Sequence, residues 1–263
     1  FDCQGVCGGG SVDVDNDGIC DDIDDCIQLV EGESCPDCFG VDGGTAQVSE
    51  CLGCQPYPIY LYNCNDIEVL EQIANGYEVF SGLEPLDLGV QYWKDNGEDW
   101  RIYSLELSNL QLTTVPDELG DLLFLKYLYL DNNDIQALPD PMFESNTLEE
   151  LYLQYNDLSV LPNDIGSSLA SLKKINLTEN ELVVLPQNIV NLSNLEELVL
   201  YQNNLSSLPE DIGSLVNLRR LDLGQNRLAE IPSSIGLLIN LEYLFVNGNS
   251  IFLLSLPDEI SQL

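Results

Sequence analysis

The chain has 263 residues, 44% of them hydrophobic, which is enough for one large domain with its own core and a smaller module. Its 45 acidic residues against 8 basic ones give a formal net charge of -37, which argues against nucleic acid and anionic membrane surfaces as partners. The absence of histidine excludes Ser-His-Asp, Cys-His and His-Glu-x-x-His catalysis, and no apolar stretch approaches the roughly 18 residues that a membrane span requires.

Cysteine is confined to the beginning of the chain, in a stretch rich in Gly and Asp and poor in apolar residues. The positions are Cys3, Cys7, Cys20, Cys26, Cys35, Cys38, Cys51, Cys54 and Cys64. Such density predicts disulfides that replace a hydrophobic core, and hence a secreted or cell-surface protein in an oxidising compartment. The odd number predicts one partner outside this chain, and the spacing leaves the pairing open.

Residues 13–24 carry carboxylates at loop positions 1, 3, 5, 9 and 12, with Gly18 at position 6 for a sharp bend. Alternate side chains in a tight turn converge on one hard cation, so the segment predicts a calcium loop. The predicted ligands are Asp13, Asp15, Asp17, the carbonyl of Ile19, Asp21 and Asp24. With cysteines beside it and no flanking helical pattern, the segment resembles a thrombospondin type 3 repeat. Extracellular calcium modules bind weakly, with Kd about 10⁻⁴ to 10⁻³ M.

Two further patterns surround this loop. The motif C-x-G-V-x-G-G occurs at residues 3–9 and 38–44, and it resembles the Cys/Gly-rich linker repeats of bacterial surface proteins. Cys35, Cys38, Cys51 and Cys54 form two C-x2-C pairs whose spacing also suits a tetrahedral zinc site. Since secretion favours oxidation, disulfides are the preferred interpretation and zinc is the alternative.

From about residue 101 the sequence repeats with a period of 23 residues, once 24. The six copies from Leu128 onward fit L-x-x-L-x-L-x-x-N-x-L, and most continue with Leu-Pro or Ile-Pro. Leucines two apart on a short strand point inward while the residues between them point outward, so stacked copies share one core. This pattern resembles the leucine-rich repeats of the Ras-group type.

The resemblance implies an α/β fold. It is a right-handed solenoid with short parallel strands on its concave face and short helices or 3₁₀ turns on its convex face, beside a small, irregular, disulfide-rich N-terminal module. We expect a Cys-rich calcium-binding segment over 1–55, an N-terminal cap over 56–100 and repeats over 101–263.

The cap has two predicted elements. Residues 66–76 predict a short helix with Asp66 as its N-cap and Gly76 at its end. Residues 88–105 predict a hairpin that leads into the first repeat. The segment resembles the N-terminal caps of extracellular leucine-rich-repeat proteins, with Cys64 as a candidate staple.

The Asn column, at 133, 156, 180, 203, 226 and 249, predicts a buried ladder of amides that bind backbone groups of adjacent turns. Leu110 replaces Asn in the first repeat, where a ladder has no preceding neighbour to serve. Two extra residues before Pro257 predict a bulged turn rather than an end, because 257–263 resumes the usual phrase.

The concave face is the expected docking surface for a protein or a glycan. Aromatic side chains in its outward columns can anchor a protein or stack on sugar rings, although strand propensity and cross-strand packing account for them equally well. They are Tyr127, Tyr129, Tyr152, Tyr201, Tyr243 and Phe245. Three glycosylation sequons begin at Asn176, Asn191 and Asn204, and a glycan on Asn176 would lie on this face.

These features favour an extracellular, non-enzymatic recognition or adhesion protein, because no phosphate-cradling Gly loop follows a strand and opens a helix. The alternative is a structural subunit that forms an extracellular fibre or surface layer from copies of itself, with glycans outside. Filaments in purified material would favour the fibre, and a tight soluble ligand on a monomer would favour recognition. Because the chain starts at Phe1 and stops at Leu263 inside an unfinished repeat, we expect a longer protein.

Overall fold

The computed structural model describes residues 63–83, 85–96, 100–139, 147–249 and 257–262. The chain divides into two compact units, one formed by 1–68 with 95–100 and the other by 69–94 with 101–263. In the first unit, the backbone N–H of Asn63 donates to the carbonyl of Trp100 at 2.8 Å. The second unit contains all the repeats and most of the residues predicted as the cap.

Helix α1 spans Cys64–Gly76 and confirms the predicted helix. Its N-cap is Asn63, whose Oδ1 accepts a hydrogen bond from the backbone N–H of Asp66 at 3.2 Å. The prediction of Asp66 as the cap was wrong by three residues. Asn and Asp are both favourable N-cap residues, so the residue type does not distinguish Asn63 from Asp66. Asp66 instead lies in the first turn, where a carboxylate is favoured by the helix dipole.

In the described part of the chain, eight strands form one sheet whose order follows the chain from β1 to β8. Strands β1 (Val90–Asp95) and β2 (Trp100–Glu106) are neighbours joined by residues 96–99, at the position of the predicted hairpin. Strands β2 to β8 are parallel. The last six have three residues each: β3 Tyr127–Tyr129, β4 Glu150–Tyr152, β5 Lys174–Asn176, β6 Glu197–Val199, β7 Arg220–Asp222 and β8 Tyr243–Phe245.

The strands are in register, so that the central apolar residue of each three-residue strand pairs with the residue at the equivalent position of the next strand. Leu128 pairs with Leu105 on one side and with Leu151 on the other, and all three are fully buried. The residues that flank each central position point outward, as in β3, where Tyr127 and Tyr129 are half-buried around Leu128. This alternation confirms the predicted solenoid of short parallel strands.

The opposite wall consists of short 3₁₀ turns and one α-helical turn, α2 (Ile165–Ser168). Several turns begin at the Pro of the repeat, as where the backbone N–H of Ile212 donates to the carbonyl of Pro209 at 3.1 Å. The same bond joins Ile260 to Pro257, which confirms that 257–262 resumes the pattern. The 3₁₀ turns of the described residues are Glu78–Phe80, Pro85–Asp87, Asp117–Asp121, Gln187–Asn191, Ile212–Ser214, Ser233–Leu237 and Asp258–Gln262.

The asparagine ladder is present, and it runs backwards along the chain. Oδ1 of Asn133 accepts from the backbone N–H groups of Leu110 and Leu112, and its Nδ2 donates to the carbonyl of Leu107 at 2.8 Å. Each later Asn binds the preceding repeat in the same way. The first repeat therefore needs no Asn of its own, which explains Leu110.

The residues just before the ladder asparagines adopt positive φ angles. These residues are Asn132, Tyr155, Glu179, Gln202, Gln225 and Gly248, with φ between 52° and 71°. In the first repeat, Asn109, which precedes Leu110, and Gln111 have φ of 63° and 59°. The left-handed conformation turns the chain sharply at the end of each strand, so that the following Asn points into the core. Glu179 and Tyr155 occupy this region at a cost, since they lack the conformational freedom of Gly.

Residues 69–94 share one continuous hydrophobic core with the repeats. Leu70, Ile73, Phe80 and Leu88 are fully buried in it. Gly89, with φ of 62°, lies so close to the carbonyl of Glu106 in β2 that a Cβ would overlap it. This segment therefore packs against the first repeat of the solenoid. No helix among the described residues has the length and apolar character needed to cross a membrane.

Candidate functional site

The outward side chains of β2 to β8 form one continuous surface, here called the strand face. Parallel pairing places equivalent side chains of successive repeats side by side on this face. Tyr152, for example, lies between Tyr129 of the preceding strand and Asn176 of the following strand. The buried central residues and the ladder hold these strands from behind. Such a surface presents side chains in fixed positions, which lowers the entropic cost of binding a partner.

Four tyrosines on β2, β3 and β4 form a group that we call the tyrosine cluster: Tyr103, Tyr127, Tyr129 and Tyr152. The rings of Tyr129 and Tyr152 are stacked, with centroids 4.7 Å apart and planes within 2° of parallel. Tyr103 and Tyr127 meet edge to face at 5.0 Å, and their hydroxyl oxygens are hydrogen-bonded to each other at 3.2 Å. Each ring is thus fixed by a neighbouring ring.

The hydroxyls of Tyr127 and Tyr152 remain neutral over the physiological pH range. Its hydrogen bond with Tyr103 raises the pKa of Tyr127 to about 12. Burial, followed by a hydrogen bond from its hydroxyl to Oε2 of Glu150 at 2.6 Å, raises the pKa of Tyr152 well above its ordinary value. Both groups are therefore hydrogen-bond donors and not phenolates.

Two lysines contact the tyrosine cluster from its sides. Nζ of Lys94 lies 4.8 Å from the centroid of the Tyr103 ring, and Nζ of Lys126 lies 5.9 Å from the same centroid. These distances are in the range of cation–π attraction. The cluster thus combines aromatic surface, neutral hydroxyls and positive charge.

The six predicted aromatic residues do not form one site. Tyr127, Tyr129 and Tyr152 belong to the tyrosine cluster. Tyr243 and Phe245 stack on β8, with centroids 6.5 Å apart, and the Arg220 guanidinium lies 5.2 Å from the Phe245 ring centroid. Tyr201 follows β6 and packs beside Gly224.

Sequence reasoning missed Tyr103, because it precedes the first complete copy of the repeat pattern. The register of β2 with β3, which pairs Ser104 with Tyr127, brings Tyr103 beside the first aromatic column. Alignment of Ile102, Leu105 and Leu107 with the later leucines is the signal that locates Tyr103 one position after the first leucine of its repeat.

The three sequon asparagines lie in different surroundings. Asn176 ends β5 on the strand face, where its Oδ1 accepts from the backbone N–H of Thr178 at 3.0 Å. Asn191 is exposed at the end of a 3₁₀ turn on the opposite wall. Asn204 is half-buried after the ladder residue Asn203. Asn191 is the most accessible of the three side chains.

The remaining predicted sites lie outside the described residues. These are the calcium ligands of residues 13–24 and all cysteines except Cys64, including the four of the alternative zinc site. Cys64 is the first residue of α1. Among the described residues, no cluster of Cys, Asp or Glu has the arrangement of a metal site. The extra residues before Pro257 are also outside the described part.

Comparison with protein families decides the nature of the repeats. The leucine-rich-repeat family model matches four overlapping segments, 124–182, 146–205, 171–228 and 193–251. The repeats of residues 124–251 thus match the leucine-rich-repeat family model. No curated protein matches the sequence at a significant level.

Solved structures with leucine-rich repeats resemble the chain. A leucine-rich-repeat protein of Leptospira interrogans is 32% identical over 61% of this chain and 46% of its own, with a TM-score of 0.50. A chain in the structure of the Arabidopsis receptor kinase HAESA, with the peptide hormone IDA and the co-receptor SERK1, is 26% identical over 75% of this chain and 36% of its own, with a TM-score of 0.62. A chain in the Drosophila Toll–Spatzle complex is 26% identical over 56% of this chain and 22% of its own, with a TM-score of 0.51. Our chain therefore spans less than half of each.

Proposed function

We propose that the chain is an extracellular, non-enzymatic recognition protein whose strand face binds a protein partner at the tyrosine cluster. The observation that supports this most directly is the concentration of four tyrosines, fixed by ring contacts, on three adjacent parallel strands. Tyrosine is enriched among residues that dominate binding energy, because it combines large apolar area with a polar end and little side-chain entropy. A rigid group of this kind is suited to anchoring a partner.

The geometry of the stack favours a protein over a glycan. A sugar ring stacks on the flat face of an aromatic side chain, but the parallel rings of Tyr129 and Tyr152 cover a face of each other. The lysines at the margin suit carbonyl and carboxylate groups, which protein partners supply. We therefore take a protein or peptide with exposed acidic or carbonyl groups as the ligand class.

The structural relatives support this proposal by resemblance. The HAESA structure contains a peptide hormone and a co-receptor, and the Toll structure contains Spatzle. Solenoids of similar repeats thus bind proteins in two different settings. The Leptospira relative provides the same fold at the highest of the three identities.

We propose further that residues 1–55 form a calcium-stabilised, disulfide-linked stalk for the repeats. Support comes from the loop pattern of Asp13, Asp15, Asp17, Ile19, Asp21 and Asp24, and from the cysteines that surround it. Weak calcium binding would be sufficient outside the cell, where calcium is plentiful. The oxidising setting that disulfides require agrees with the same location.

The test compares the native chain with Y129S/Y152S on an array of secreted and cell-surface proteins and on a glycan array. We expect a protein ligand that loses affinity by at least about tenfold in the variant, since paired aromatic anchors contribute more than 1.4 kcal/mol. The control is I239S, which changes a side chain that is 75% exposed on the opposite wall. Glycan binding alone, or protein binding that Y129S/Y152S leaves intact, would contradict the proposal.

A further inference from the structure

Two adjacent columns of the repeats carry charges that alternate from one repeat to the next. The columns are the residue before each strand and the first residue of the strand, and we call them the charged band. Its six rows, in order, are Lys126 with Tyr127, Glu149 with Glu150, Lys173 with Lys174, Glu196 with Glu197, Arg219 with Arg220, and Glu242 with Tyr243. Every row is opposite in sign to its neighbours.

The band is exceptional in the charge distribution of the chain. Five of the eight basic residues in the whole sequence belong to it, and five glutamates balance them. A protein with a formal net charge of -37 thus has one neutral strip, about 24 Å long if six strands lie about 4.8 Å apart. This strip is where two copies can approach without the repulsion that acts elsewhere.

The rows contact each other within one chain, but many of these contacts are loose. Glu149 bonds with both Lys126 and Lys173, whereas Lys174 lies 3.6 Å from Glu150 and 3.5 Å from Glu197. Arg219 lies 3.9 Å from Glu196 and 3.4 Å from Glu242, and its side chain is 60% exposed. Exposed cations at such distances have donors available for a second acceptor.

We infer that the charged band is a docking surface for a second copy of this chain, placed antiparallel across a two-fold axis between the third and fourth rows. In that arrangement the first row meets the sixth, the second meets the fifth and the third meets the fourth. Lys173 and Lys174 of one copy then face Glu196 and Glu197 of the other. All six rows pair with opposite charge, which is the self-complementarity that a two-fold interface requires.

The aromatic residues of the band obey the same symmetry. The first row ends in Tyr127 and the sixth in Tyr243, so the two-fold axis places an aromatic ring of one copy against an aromatic ring of the other at both ends. Aromatic pairs add packing energy that exposed ion pairs lack. The arrangement therefore has apolar contacts at its two ends and ion pairs between them.

A partner of uniform charge fits this surface poorly, since each favourable row would lie beside a repulsive one. A parallel copy shifted by one repeat would also meet opposite charges, but it leaves one row of each copy unpaired and forms an open chain. The two-fold arrangement uses every row and closes. Charge complementarity thus identifies a second copy, in one orientation, as the occupant.

The experiment uses two charge-reversal variants of the 263-residue chain, K173E/K174E and E196K/E197K. Alone, each places like charges opposite each other across the two-fold axis, so we expect dimerisation to weaken by about tenfold or more. Mixed in equal amounts, the glutamates introduced in the first variant meet the lysines introduced in the second at one of the two symmetry-related positions. At the other position, the native Glu196 and Glu197 of the first variant meet the native Lys173 and Lys174 of the second. We expect the mixture to recover a heterodimer, measured by sedimentation velocity with one variant fluorescently labelled.

A control variant, R227E, reverses an exposed arginine outside the band and should dimerise as the native chain does. Circular dichroism of each variant confirms that it is folded. A native chain that is monomeric at micromolar concentration, a K173E/K174E protein that still dimerises, or a mixture that stays monomeric overturns the inference, as do open polymers. These variants change no residue of the tyrosine cluster, so partner binding by each variant can be measured separately from its dimerisation.

Discussion

Nδ2 of Asn203 donates a hydrogen bond to the backbone carbonyl of Leu177, in the preceding repeat, at 2.8 Å. Its Oδ1 accepts from the backbone N–H of Leu182, in the same preceding repeat, at 3.0 Å. One buried side chain thus satisfies a donor and an acceptor that the short strands cannot pair. The repeats are joined by these amides as well as by their leucines.

Substitution of Asn203 by Leu should destabilise the solenoid by about 1–3 kcal/mol for each backbone group left unsatisfied. Urea unfolding followed by circular dichroism measures the loss. The matched control is Asn194→Leu, because the exposed amide of Asn194 donates to the carbonyl of Ala170 and water can replace it. An equal effect of the two substitutions would contradict the structural role of the ladder.

Substitution of Gly213 by Ala should destabilise the protein by about 1–3 kcal/mol through overpacking. A Cβ at this position would overlap the backbone carbonyl of Ser234 in the next repeat, so two turns of the outer wall would have to separate. Gly76→Ala is the control, since nothing lies within 4 Å of its added methyl group. Thermal unfolding compares the two, and a stable Gly213→Ala protein would show that the close approach is not required.

Glu149 should contribute to stability in a pH-dependent manner. Hydrogen bonds from Lys126 and Lys173 lower its pKa below the ordinary value of 4.5. The contribution is therefore complete above pH 4.5 and is lost as the pH falls through the folded-state pKa. We expect the stability difference between the native chain and Glu149→Gln, measured by urea unfolding, to shrink between neutral pH and pH about 3. A difference that is constant with pH would contradict the ion pairs.

Tyr152 should titrate later than an ordinary tyrosine, because burial and the hydrogen bond to Glu150 raise its pKa above 10. The difference in phenolate absorbance between the native chain and Tyr152→Phe should stay near zero at pH 10 and appear at higher pH. In concentrated urea the same difference should appear near pH 10. Coincident curves in the folded and unfolded proteins would refute the buried hydrogen bond.

Removal of calcium should loosen residues 1–55 without unfolding the repeats, because the loop of Asp13 to Asp24 and the leucine core have no ligand residues in common. Limited proteolysis with and without chelator should show new cleavage sites in that segment alone. The unfolding transition of the solenoid should not shift. A chelator that melted both parts together would argue against a separate calcium-stabilised stalk.

Periodicity predicted the parts of the fold that depend on burial. The leucines at 128, 151 and 198 mark strands because each strand must bury one central residue, and this requirement is visible in sequence. The ladder and its missing first member, Leu110, followed from the same stacking argument. Because each repeat of a solenoid contacts only its neighbours, the sequence of one repeat is enough to predict which of its residues are buried.

The details of the surface could not be predicted in this way. Glu179 and Tyr155 occupy left-handed backbone conformations that their residue types do not favour. The sharp turn of the chain, which directs the following Asn into the core, imposes this conformation on them, and residue type alone would not predict it. The stack of Tyr129 on Tyr152 depends on side-chain rotamers, which no spacing rule determines. Propensity also failed to choose between Asn63 and Asp66 as the helix cap.

The single 24-residue repeat takes up its extra residue on the outer wall. There, the N–H of Leu169 donates to Ile165, four residues back, in α2, whereas the equivalent N–H of Leu215 donates to Ile212, three residues back. The strands on either side remain in register, with Leu151 paired to Ile175. Insertions at that wall are thus absorbed locally, and variation in chain length there can accumulate without displacing the tyrosines or the charged rows.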